Sequence, residues 1–300
     1  MVLTDRVIVL TGCTGQVGAP LARLLAEHNE VHGLARFGDR DVRDSMEGAG
    51  IICHPVNLVD PDLSSVPIAV DHMLNFAVTK TGRWDKDLAA NAVAAGSLMS
   101  HCRAARSVLH CSTTAVYAPN GGEPMSETSA LGRDHHQDLL PTYSTTKTAA
   151  EAVVRFAATE FGLPTTIARL NVPYGDRFGW PLLHLLMMQA DQPIPIHPDG
   201  SQYNPIHLDD MLAQLPALLE AATTDTTVLN WSGDEIVSVE EWSAFIGEIA
   251  GVEPRFEVDE RTIPSAVVDT TKSRPVVGPC AVSWRDGFRR LTEQALAREP

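Results

Sequence analysis

The chain has 300 residues, 44% of them hydrophobic and 20% charged, with 23 Lys plus Arg against 38 Asp plus Glu and a formal net charge of −15. This composition is ordinary for a globular protein and argues against disorder, collagen and coiled coil. The negative charge repels phosphate backbones, so we expect no nucleic acid partner.

The cysteine content and the hydropathy pattern indicate which cellular compartment to expect. The five cysteines are scattered and form no Cys-x-x-Cys pair, which argues against a zinc site and against a disulfide framework. No stretch approaches the ~18 consecutive apolar residues of a membrane span, and the N-terminus carries no signal pattern. We therefore expect a soluble cytoplasmic protein with reduced thiols, no metal and no membrane association.

The first half of the chain alternates short apolar runs with helical patterns, which predicts βαβ units and a parallel sheet. The predicted strands are Val7–Leu10, Val31–Leu34, Ile51–Val56, His72–Phe76, Ser107–Cys111 and Thr165–Leu170. The predicted helices are one marked by the spacing of Leu21, Leu24 and Leu25, one over Ala89–Cys102 and one over Tyr143–Phe161. The last of these ends before Gly162-Leu163-Pro164, a typical helix stop.

The pattern changes after residue 170. Residues 171–205 are rich in proline and show little periodicity. Beyond them we predict a helix over Ile206–Ala222, a last strand of the sheet over Val228–Trp231 and a helix over Val239–Ala250. This layout predicts one nucleotide-binding sheet with a substrate-binding cap from the C-terminal part.

A glycine-rich turn, Thr11–Gly18, separates the first strand from the first helix. Its three glycines are spaced by three residues. The first glycine allows a tight turn, the second lets the backbone approach a pyrophosphate, and the third lets helix and strand pack closely, while the helix N-terminus offers free N–H groups. The turn predicts a dinucleotide site with contacts from Gly12, Thr14, Gly15, Gln16, Val17 and Gly18.

The end of the second strand is expected to select the cofactor. Sheets that bind NAD usually place an acid there, whereas here Ala35 stands at that position and Arg36 follows. A guanidinium suits a 2′-phosphate, so we predict NADP over NAD; the alternative is a solvated cation neutralised by Asp39 and Asp41. Ligands of such sheets bind at the strand ends, where further cofactor contacts are expected from Asn57, Leu58, Phe76, Ala77, Val78, Leu170 and Val172.

Tyr143 and Lys147 lie four residues apart at the start of a predicted helix, so both side chains share one face. An ammonium beside a phenol lowers the pKa of the phenol, as an acid/base for alcohol–ketone interconversion requires. The spacing alone is equally typical of a surface pair. The hydroxyl-rich turn Ser112–Tyr117 supports the first interpretation, because a hydroxyl at that strand end can hold a substrate oxygen next to Tyr143.

Together these motifs resemble the extended short-chain dehydrogenases/reductases, also called the NAD-dependent epimerase/dehydratase family. The resemblance covers roughly residues 5–235 and rests on Thr11–Gly18, Asn91, Ser112–Tyr117, Tyr143–Lys147, Arg169–Gly175 and Ile206–Asp210. It implies an α/β fold, a Rossmann-type doubly wound parallel sheet with a smaller C-terminal substrate-binding region. The dinucleotide-binding domain would comprise residues 1–170 and 206–235, and the cap residues 171–205 and 236–300.

The resemblance also implies roles for particular side chains. Thr113 would be the catalytic hydroxyl, with Ser112 as the neighbouring candidate. Tyr143 would be the acid/base, and Lys147 would lower its pKa and hold the nicotinamide ribose. A homodimer through the helices that carry Asn91 and Tyr143 is implied as well.

Several positions depart from the family pattern. Thr114 and Ala115 stand where sugar 4,6-dehydratases carry acids, so dehydration lacks its acid and base. Tyr203 stands where nucleotide-sugar enzymes usually carry an arginine, and Asn171 is displaced by one position. A nucleotide-diphosphate substrate therefore loses support, and the apolar, aromatic stretch 173–197 favours a less charged one.

We predict an NADP-dependent oxidoreductase that transfers a hydride between nicotinamide and a carbonyl or secondary alcohol of a small, fairly apolar substrate. One alternative is an epimerase that uses a retained NAD transiently. A second alternative is a non-catalytic NADP-binding sensor or scaffold, which has no need of the complete Thr113, Tyr143 and Lys147 set.

Other polar signals have more than one interpretation. Asn91 either holds a water of a proton relay or bonds to backbone, and Lys80–Trp84 either edges the cleft or forms a surface loop. We attribute Asp209 and Asp210 to helix capping. His184 is predicted to be packed, and Asp134–Asp138 to be a polar loop rather than a metal site.

Overall fold

The computed structural model describes residues 3–132 and 139–297. The chain divides into two compact units. The first consists of Met1–Thr113, Thr142–Arg169 and Leu215–Leu229, and the second of Thr114–Pro141, Leu170–Gln214 and Asn230–Pro300.

A seven-stranded sheet dominates the first unit. Its strands are β1 (Val7–Thr11), β2 (Glu30–Ala35), β3 (Ile51–Pro55), β4 (His72–Asn75), β5 (Ser107–Thr113), β6 (Thr165–Leu170) and β11 (Thr227–Trp231). They lie in the order β11-β6-β5-β4-β1-β2-β3. The pairings of β1 with β2 and β4, of β2 with β3 and of β4 with β5 are parallel. The strand order reverses between β1 and β4, which is the switch point where doubly wound sheets bind ligands.

The helices that alternate with these strands are α1 (Gly18–Ala26), α2 (Arg40–Glu47), α3 (Trp84–Leu88), α4 (Ala94–His101), α5 (Tyr143–Phe161) and α7 (Leu208–Glu220). A π-helical turn, Ala89–Val93, joins α3 to α4, so the single helix predicted over Ala89–Cys102 is interrupted. The α/β fold of Rossmann type is thus confirmed. An apolar core lies on the sheet, in which Val108 of β5 and Ile167 of β6 pack with Val154 and Ala158 of α5.

The second unit is built from short strands and helices. The strands are β7 (Pro173–Tyr174), β8 (Ile194–Ile196), β9 (Gln202–Tyr203), β10 (Ile206–His207), β12 (Val237–Ser238) and β13 (Phe256–Val258). The helices are α6 (Trp180–Gln189), α8 (Val239–Ala250), α9 (Arg274–Val277) and α10 (Trp284–Leu296). Its core is aromatic: the Trp242 ring packs edge-on against Phe288, and Phe288 packs edge-on against Tyr174.

Among the described residues, five helices were not predicted from the sequence: α2, α3, α6, α9 and α10. α3 and α9 are only five and four residues long, too short for a periodic signal. α2 buries only Met46, so it has almost no apolar face. α6 is apolar on nearly every side and therefore shows no period. α10 does carry a buried stripe at helical spacing, formed by Trp284, Gly287, Phe288, Leu291 and Thr292, which the sequence analysis overlooked. The helix predicted over Ile206–Ala222 begins at Leu208, because Ile206 and His207 pair with β7 instead. No helix of the described residues is long and apolar enough to cross a membrane.

Candidate active site

The glycine turn after β1 brings the backbone close to the end of β4. Gly12 adopts φ +72°, and a Cβ there would lie 2.8 Å from the backbone nitrogen of Ala77. A Cβ on Gly18 would collide with the carbonyl oxygen of Gly12. α1 begins without a side-chain cap. The Ala19 N–H donates to the carbonyl of Gly15 at 2.9 Å and Pro20 carries no N–H, so the first turn of the helix offers an anion chiefly the N–H of Gly18. These features fit the pyrophosphate of a dinucleotide.

A buried polar chain joins the ends of the three central strands. The Thr11 hydroxyl donates to Asn75 Oδ1 at 2.6 Å, and Asn75 Nδ2 lies 3.0 Å from His110 Nδ1. The backbone N–H of Ala77 donates to the Thr11 hydroxyl at 3.2 Å. Phe76 and Ala77, two predicted cofactor contacts, are therefore held beside the glycine turn.

The other predicted cofactor residues of this unit follow β2, β3 and β4. Arg36 is exposed directly after β2. Asp39 is the N-cap of α2, since its carboxylate accepts from the backbone N–H of Asp41 at 2.9 Å. Asn57 Oδ1 accepts from the N–H of Val59 at 3.2 Å and shapes the turn after β3. Leu58 lies in that turn, and Val78 is exposed after β4.

Thr113, Tyr143 and Lys147 meet where β5 ends and α5 begins. The Thr113 hydroxyl forms a hydrogen bond with the Tyr143 phenol. Desolvation raises the pKa of Tyr143 to about 12, against which the Thr113 bond acts to lower it. The buried Lys147 ammonium donates to the carbonyl oxygen of Cys111 at 2.7 Å, which fixes it at the same strand end.

The two candidate hydroxyls differ in their partners. The Ser112 hydroxyl donates to Glu151 Oε1 at 2.7 Å, away from Tyr143. Glu151 in turn forms a fully buried, bidentate pair with Arg169, with N–O distances of 2.9 and 2.8 Å. Ser112 therefore belongs to a buried ionic cluster, whereas Thr113 is the hydroxyl that contacts the phenol.

The cluster of Ser112, Glu151 and Arg169 was not predicted. Burial raises the pKa of Glu151, but the hydrogen bonds and charge of Arg169 outweigh it and leave that pKa below its ordinary value. The signal available in the sequence was the spacing of Glu151, four residues after Lys147 and on the same side of the helix.

Asn91 bonds to protein groups on every side. Its Oδ1 accepts from the N–H of Thr79 at 2.7 Å, and its Nδ2 donates to the carbonyl of Thr79 at 2.8 Å and to the Thr146 hydroxyl at 2.9 Å. Of the two interpretations of Asn91, the structure thus shows the one with backbone bonds.

Asp87 is a second buried anchor, which the sequence analysis missed. Its carboxylate accepts from the hydroxyl and N–H of Thr81 and from the N–H of Gly82. It also accepts from the Thr142 hydroxyl at 2.6 Å. Asp87 therefore ties the loop after β4 to the residue that precedes Tyr143.

Lys80 lies in this loop and reaches the site. Its ammonium is 5.2 Å from the centroid of the Tyr143 ring. Of the two interpretations of Lys80–Trp84, the site edge is the one that holds for Lys80, whereas Trp84 begins α3 and is 49% exposed.

The remaining predicted residues belong to the second unit. Leu170 ends β6, and the N–H of Val172 donates to Asn171 Oδ1 at 2.9 Å. Asn171 Nδ2 donates to the carbonyl of Ala266 at 2.7 Å, so the displaced asparagine braces this unit. The buried Tyr203, which replaces the expected arginine, donates its hydroxyl to the carbonyl of Ile263 at 2.6 Å.

Asp209 and Asp210 lie in the first turn of α7, where acids were predicted, but their carboxylates bind groups outside that helix. Asp210 accepts from the backbone N–H groups of Ala281 and Val282 at 2.6 and 3.2 Å, and Asp209 pairs with Arg290 at 2.8 Å. Both carboxylates therefore anchor C-terminal segments that are distant in sequence.

Histidine and metal predictions have separate outcomes. His184 is 8% exposed and accepts from the Trp242 indole N–H at 2.8 Å, so it is packed as predicted. Among the described residues, no group of three or more His, Cys, Asp or Glu side chains is arranged to hold a metal ion. The predicted polar loop Asp134–Asp138 lies outside the described residues.

The glycine turn, the strand ends and the Thr113–Tyr143–Lys147 set define an NAD(P)-dependent enzyme of the extended short-chain dehydrogenase/reductase type. Residues 8–230 match the model of the "NAD dependent epimerase/dehydratase family", and the chain belongs to this family. This membership leaves no support for the interpretation as a non-catalytic sensor. No protein of curated function matches the chain.

Three solved structures of similar fold are epimerases or contain NAD. The UDP-glucuronic acid 4-epimerase from Bacillus cereus in complex with NAD is 20% identical, with a TM-score of 0.82 over 97% of this chain and 99% of that one. A UDP-N-acetylglucosamine 4-epimerase from Methanobrevibacter ruminantium is 15% identical, with a TM-score of 0.83 over 99% and 100%. The Bordetella bronchiseptica enzyme WbmG in complex with NAD is 20% identical, with a TM-score of 0.82 over 98% and 95%.

Proposed function

We propose that the protein is an epimerase that inverts a hydroxyl-bearing carbon of a sugar-type substrate and retains NAD during turnover. The observation that carries the proposal is the hydrogen bond between Thr113 and Tyr143 beside the fixed Lys147, in a member of the epimerase/dehydratase family. This set provides one acid/base for one substrate oxygen. Thr114 and Ala115, both buried, offer no carboxyl groups for dehydration.

Epimerisation requires these side chains to transfer a proton and to position the substrate oxygen. The Tyr143 phenolate takes the proton of the substrate hydroxyl when the carbon that bears it is oxidised to a carbonyl. After the carbonyl group has rotated, so that its opposite face is reduced, the phenol returns a proton to the same oxygen. Thr113 holds that oxygen by a hydrogen bond, and Lys147 supplies positive charge that favours the phenolate. A bound nicotinamide supplies the reversible hydride chemistry, for which Gly12–Gly18, Phe76 and Ala77 offer the cradle described above.

The similar structures support this alternative over our first prediction of an NADP-dependent oxidoreductase. Those named above are UDP-sugar 4-epimerases or contain NAD. Because Tyr203 commits its hydroxyl to Ile263, a nucleotide diphosphate would need partners other than the arginine that family members usually carry. We therefore propose that the reacting group is a sugar ring. The substrate panel below identifies the group to which that ring is attached.

Cofactor analysis with a substrate panel tests the proposal. The purified protein is denatured, the released cofactor is identified by mass spectrometry, and the native protein is incubated with UDP-glucose, UDP-glucuronic acid and UDP-N-acetylglucosamine. We expect retained NAD and appearance of a C4 epimer by NMR without net absorbance change at 340 nm. Loosely bound NADP together with stoichiometric substrate oxidation would overturn it.

A specific observation favours NADP-dependent oxidoreduction as the second candidate function. Ala35 removes the carboxylate that would repel a 2′-phosphate, and the exposed Arg36 follows it. On this candidate, Arg36→Glu weakens NADP⁺ binding by at least tenfold in isothermal titration and leaves NAD⁺ binding nearly unchanged, since only the phosphate contact is lost. Arg40→Glu, also on an exposed side chain, is the control. Equal NADP⁺ affinity in both variants would count against the candidate.

We also propose a homodimer through the helix that carries Asn91, which is the π-helical turn Ala89–Val93 continued by α4, and through α5. Val93 of the turn and Phe156 of α5 are 62% and 67% exposed, an unusual placement for large apolar side chains. Phe156→Glu is expected to convert the dimer into a monomer in sedimentation velocity. Leu24→Glu, on the 43% exposed Leu24 of α1, should leave the dimer intact. A monomeric parent protein would contradict the proposal.

A further inference from the structure

The backbone on both sides of Lys80 is fixed by buried side chains. Asn91 binds the N–H and the carbonyl of Thr79 at 2.7 and 2.8 Å. Asp87 binds the N–H and the hydroxyl of Thr81 at 3.0 and 2.8 Å. The loop residue between them is therefore held in place, although its side chain as a whole is solvent-exposed.

The same two anchors hold the start of α5. Asn91 donates to the Thr146 hydroxyl at 2.9 Å, and Asp87 accepts from the Thr142 hydroxyl at 2.6 Å. Thr142 and Thr146 flank Tyr143 along the chain. Asn91 and Asp87 thus link the loop that carries Lys80 to the start of α5, which carries Tyr143. The Lys80 ammonium lies 5.2 Å from the centroid of the Tyr143 ring.

We propose that Lys80 is a second cation that favours the phenolate of Tyr143 and so sets the proton affinity of the acid/base. The proposal rests on the proposed role of Tyr143. A cation within about 6 Å of the ring face is attracted by the π-electrons of a neutral tyrosine. It is attracted more strongly once the ring carries a negative charge, so its presence shifts the ionisation equilibrium toward the phenolate.

The surroundings of Tyr143 explain why a second cation matters. The titratable groups near Tyr143 include Lys80 from the loop, with its ammonium 5.2 Å from the ring centroid, and Cys111 from β5. Lys147 follows one turn later in α5, and Asp87 binds the preceding residue, Thr142. Desolvation raises the pKa of Tyr143, and Cys111 adds to this rise. The Lys147 ammonium donates one of its hydrogen bonds to the carbonyl oxygen of Cys111.

The position beside the ring also affects the pKa of Lys80 itself. Desolvation of its ammonium beside the ring lowers the pKa of Lys80, and no other cause contributes. Because the side chain is exposed, its field is weakened by water and salt, so its effect should lie at the low end for a charge at this distance. We therefore expect it to lower the pKa of Tyr143 by about one unit.

A direct titration of the phenol tests the proposal. Tyr143 is replaced by 3,5-difluorotyrosine, whose fluorines bring the phenol pKa into a pH range where the protein stays folded, and its ionisation is followed by ¹⁹F NMR. The titration is repeated in Lys80→Met, Lys80→Arg and Lys86→Met. Lys86 is an exposed lysine of α3 and serves as the matched control.

We expect the pKa of residue 143 to rise by about one unit in Lys80→Met and to stay within half a unit in Lys80→Arg and Lys86→Met. The rise should shrink in 1 M salt, because exposed charges are screened. An unchanged pKa in Lys80→Met, or an equal rise in Lys80→Arg, would overturn the proposal. The titration needs neither substrate nor turnover, so its failure is distinguishable from failure of the proposed function.

The pH profile provides a second measurement. Below the pKa of Tyr143 the phenolate fraction falls tenfold for each unit by which that pKa rises. With an identified substrate, Lys80→Met should therefore lower kcat by about tenfold and move the limb on which kcat rises with pH upward by about the same unit, while Lys80→Arg restores both. A fall in kcat without displacement of the limb would also contradict the proposed role of Lys80.

Discussion

Tyr143→Phe is expected to lower kcat by about 10²- to 10⁴-fold, the usual contribution of a positioned acid/base. The substitution removes only the phenolic oxygen, which bonds to the Thr113 hydroxyl. Circular dichroism and cofactor content should match those of the parent protein. Single-turnover kinetics on an identified substrate provide the measurement, and full turnover by this variant would refute the role of Tyr143.

Thr113 supplies the matched controls for that experiment. Thr113→Ser keeps a hydroxyl at the end of β5 and should retain most of the activity, whereas Thr113→Val keeps the volume and should lose activity on the order of 10²-fold. Ser112→Ala, in contrast, should affect stability more than kcat, because the Ser112 hydroxyl binds Glu151. A larger kcat loss in Ser112→Ala than in Thr113→Val would exchange the two assignments.

Arg169→Met is expected to lower the free energy of unfolding by about 3–5 kcal/mol at neutral pH. The substitution leaves the Glu151 carboxylate buried, 2% exposed, without its bidentate partner. Replacing both side chains by apolar ones should cost less than replacing Arg169 alone, since no uncompensated charge remains. Urea denaturation of the single and double variants at pH 7.5 measures the difference.

The same pair makes a signed prediction for pH. In the parent protein the pKa of Glu151 is lowered on folding, so its contribution is present above the unfolded pKa and is lost as pH falls through the folded pKa. In Arg169→Met, burial without the guanidinium raises the pKa of Glu151 instead. The variant should therefore be least destabilised at acid pH, where Glu151 is protonated. A constant destabilisation between pH 4.5 and 7.5 would contradict this account.

Arg155 offers a control at the same carboxylate. Its guanidinium lies 3.6 Å from Glu151 Oε2 but is 42% exposed. Water screens this contact, so Arg155→Met should cost less than about 1 kcal/mol. A loss as large as that of Arg169→Met would mean that charge alone, rather than burial, sets the effect.

The strands of the seven-stranded sheet and the helix that carries Tyr143 were predictable, because the sequence patterns that mark them are local. Predicted and observed bounds of α5 both run from Tyr143 to Phe161, where Gly162 in the left-handed region ends the helix. The strand predicted over Thr165–Leu170 is also confirmed at both ends. α2 and α6 lack a one-sided apolar face, so no periodicity marks them. α10 carries such a face, with Trp284, Phe288 and Leu291 buried, and the sequence analysis overlooked it.

The sequence by itself determined the fold class, the family and the Tyr143–Lys147 spacing, because apolar period, glycine turns and i,i+4 geometry act within a few residues. Only the tertiary structure showed that Thr113 contacts the phenol whereas Ser112 binds Glu151, gave Asn91 its backbone partners and placed Lys80 near the ring of Tyr143. Each of these choices depends on a neighbour tens of residues away, such as Glu151 for Ser112 or Thr79 and Thr146 for Asn91. Hydrogen bonding in a buried site is satisfied by whichever groups the packed strands and helices bring together, and that selection is a property of the fold.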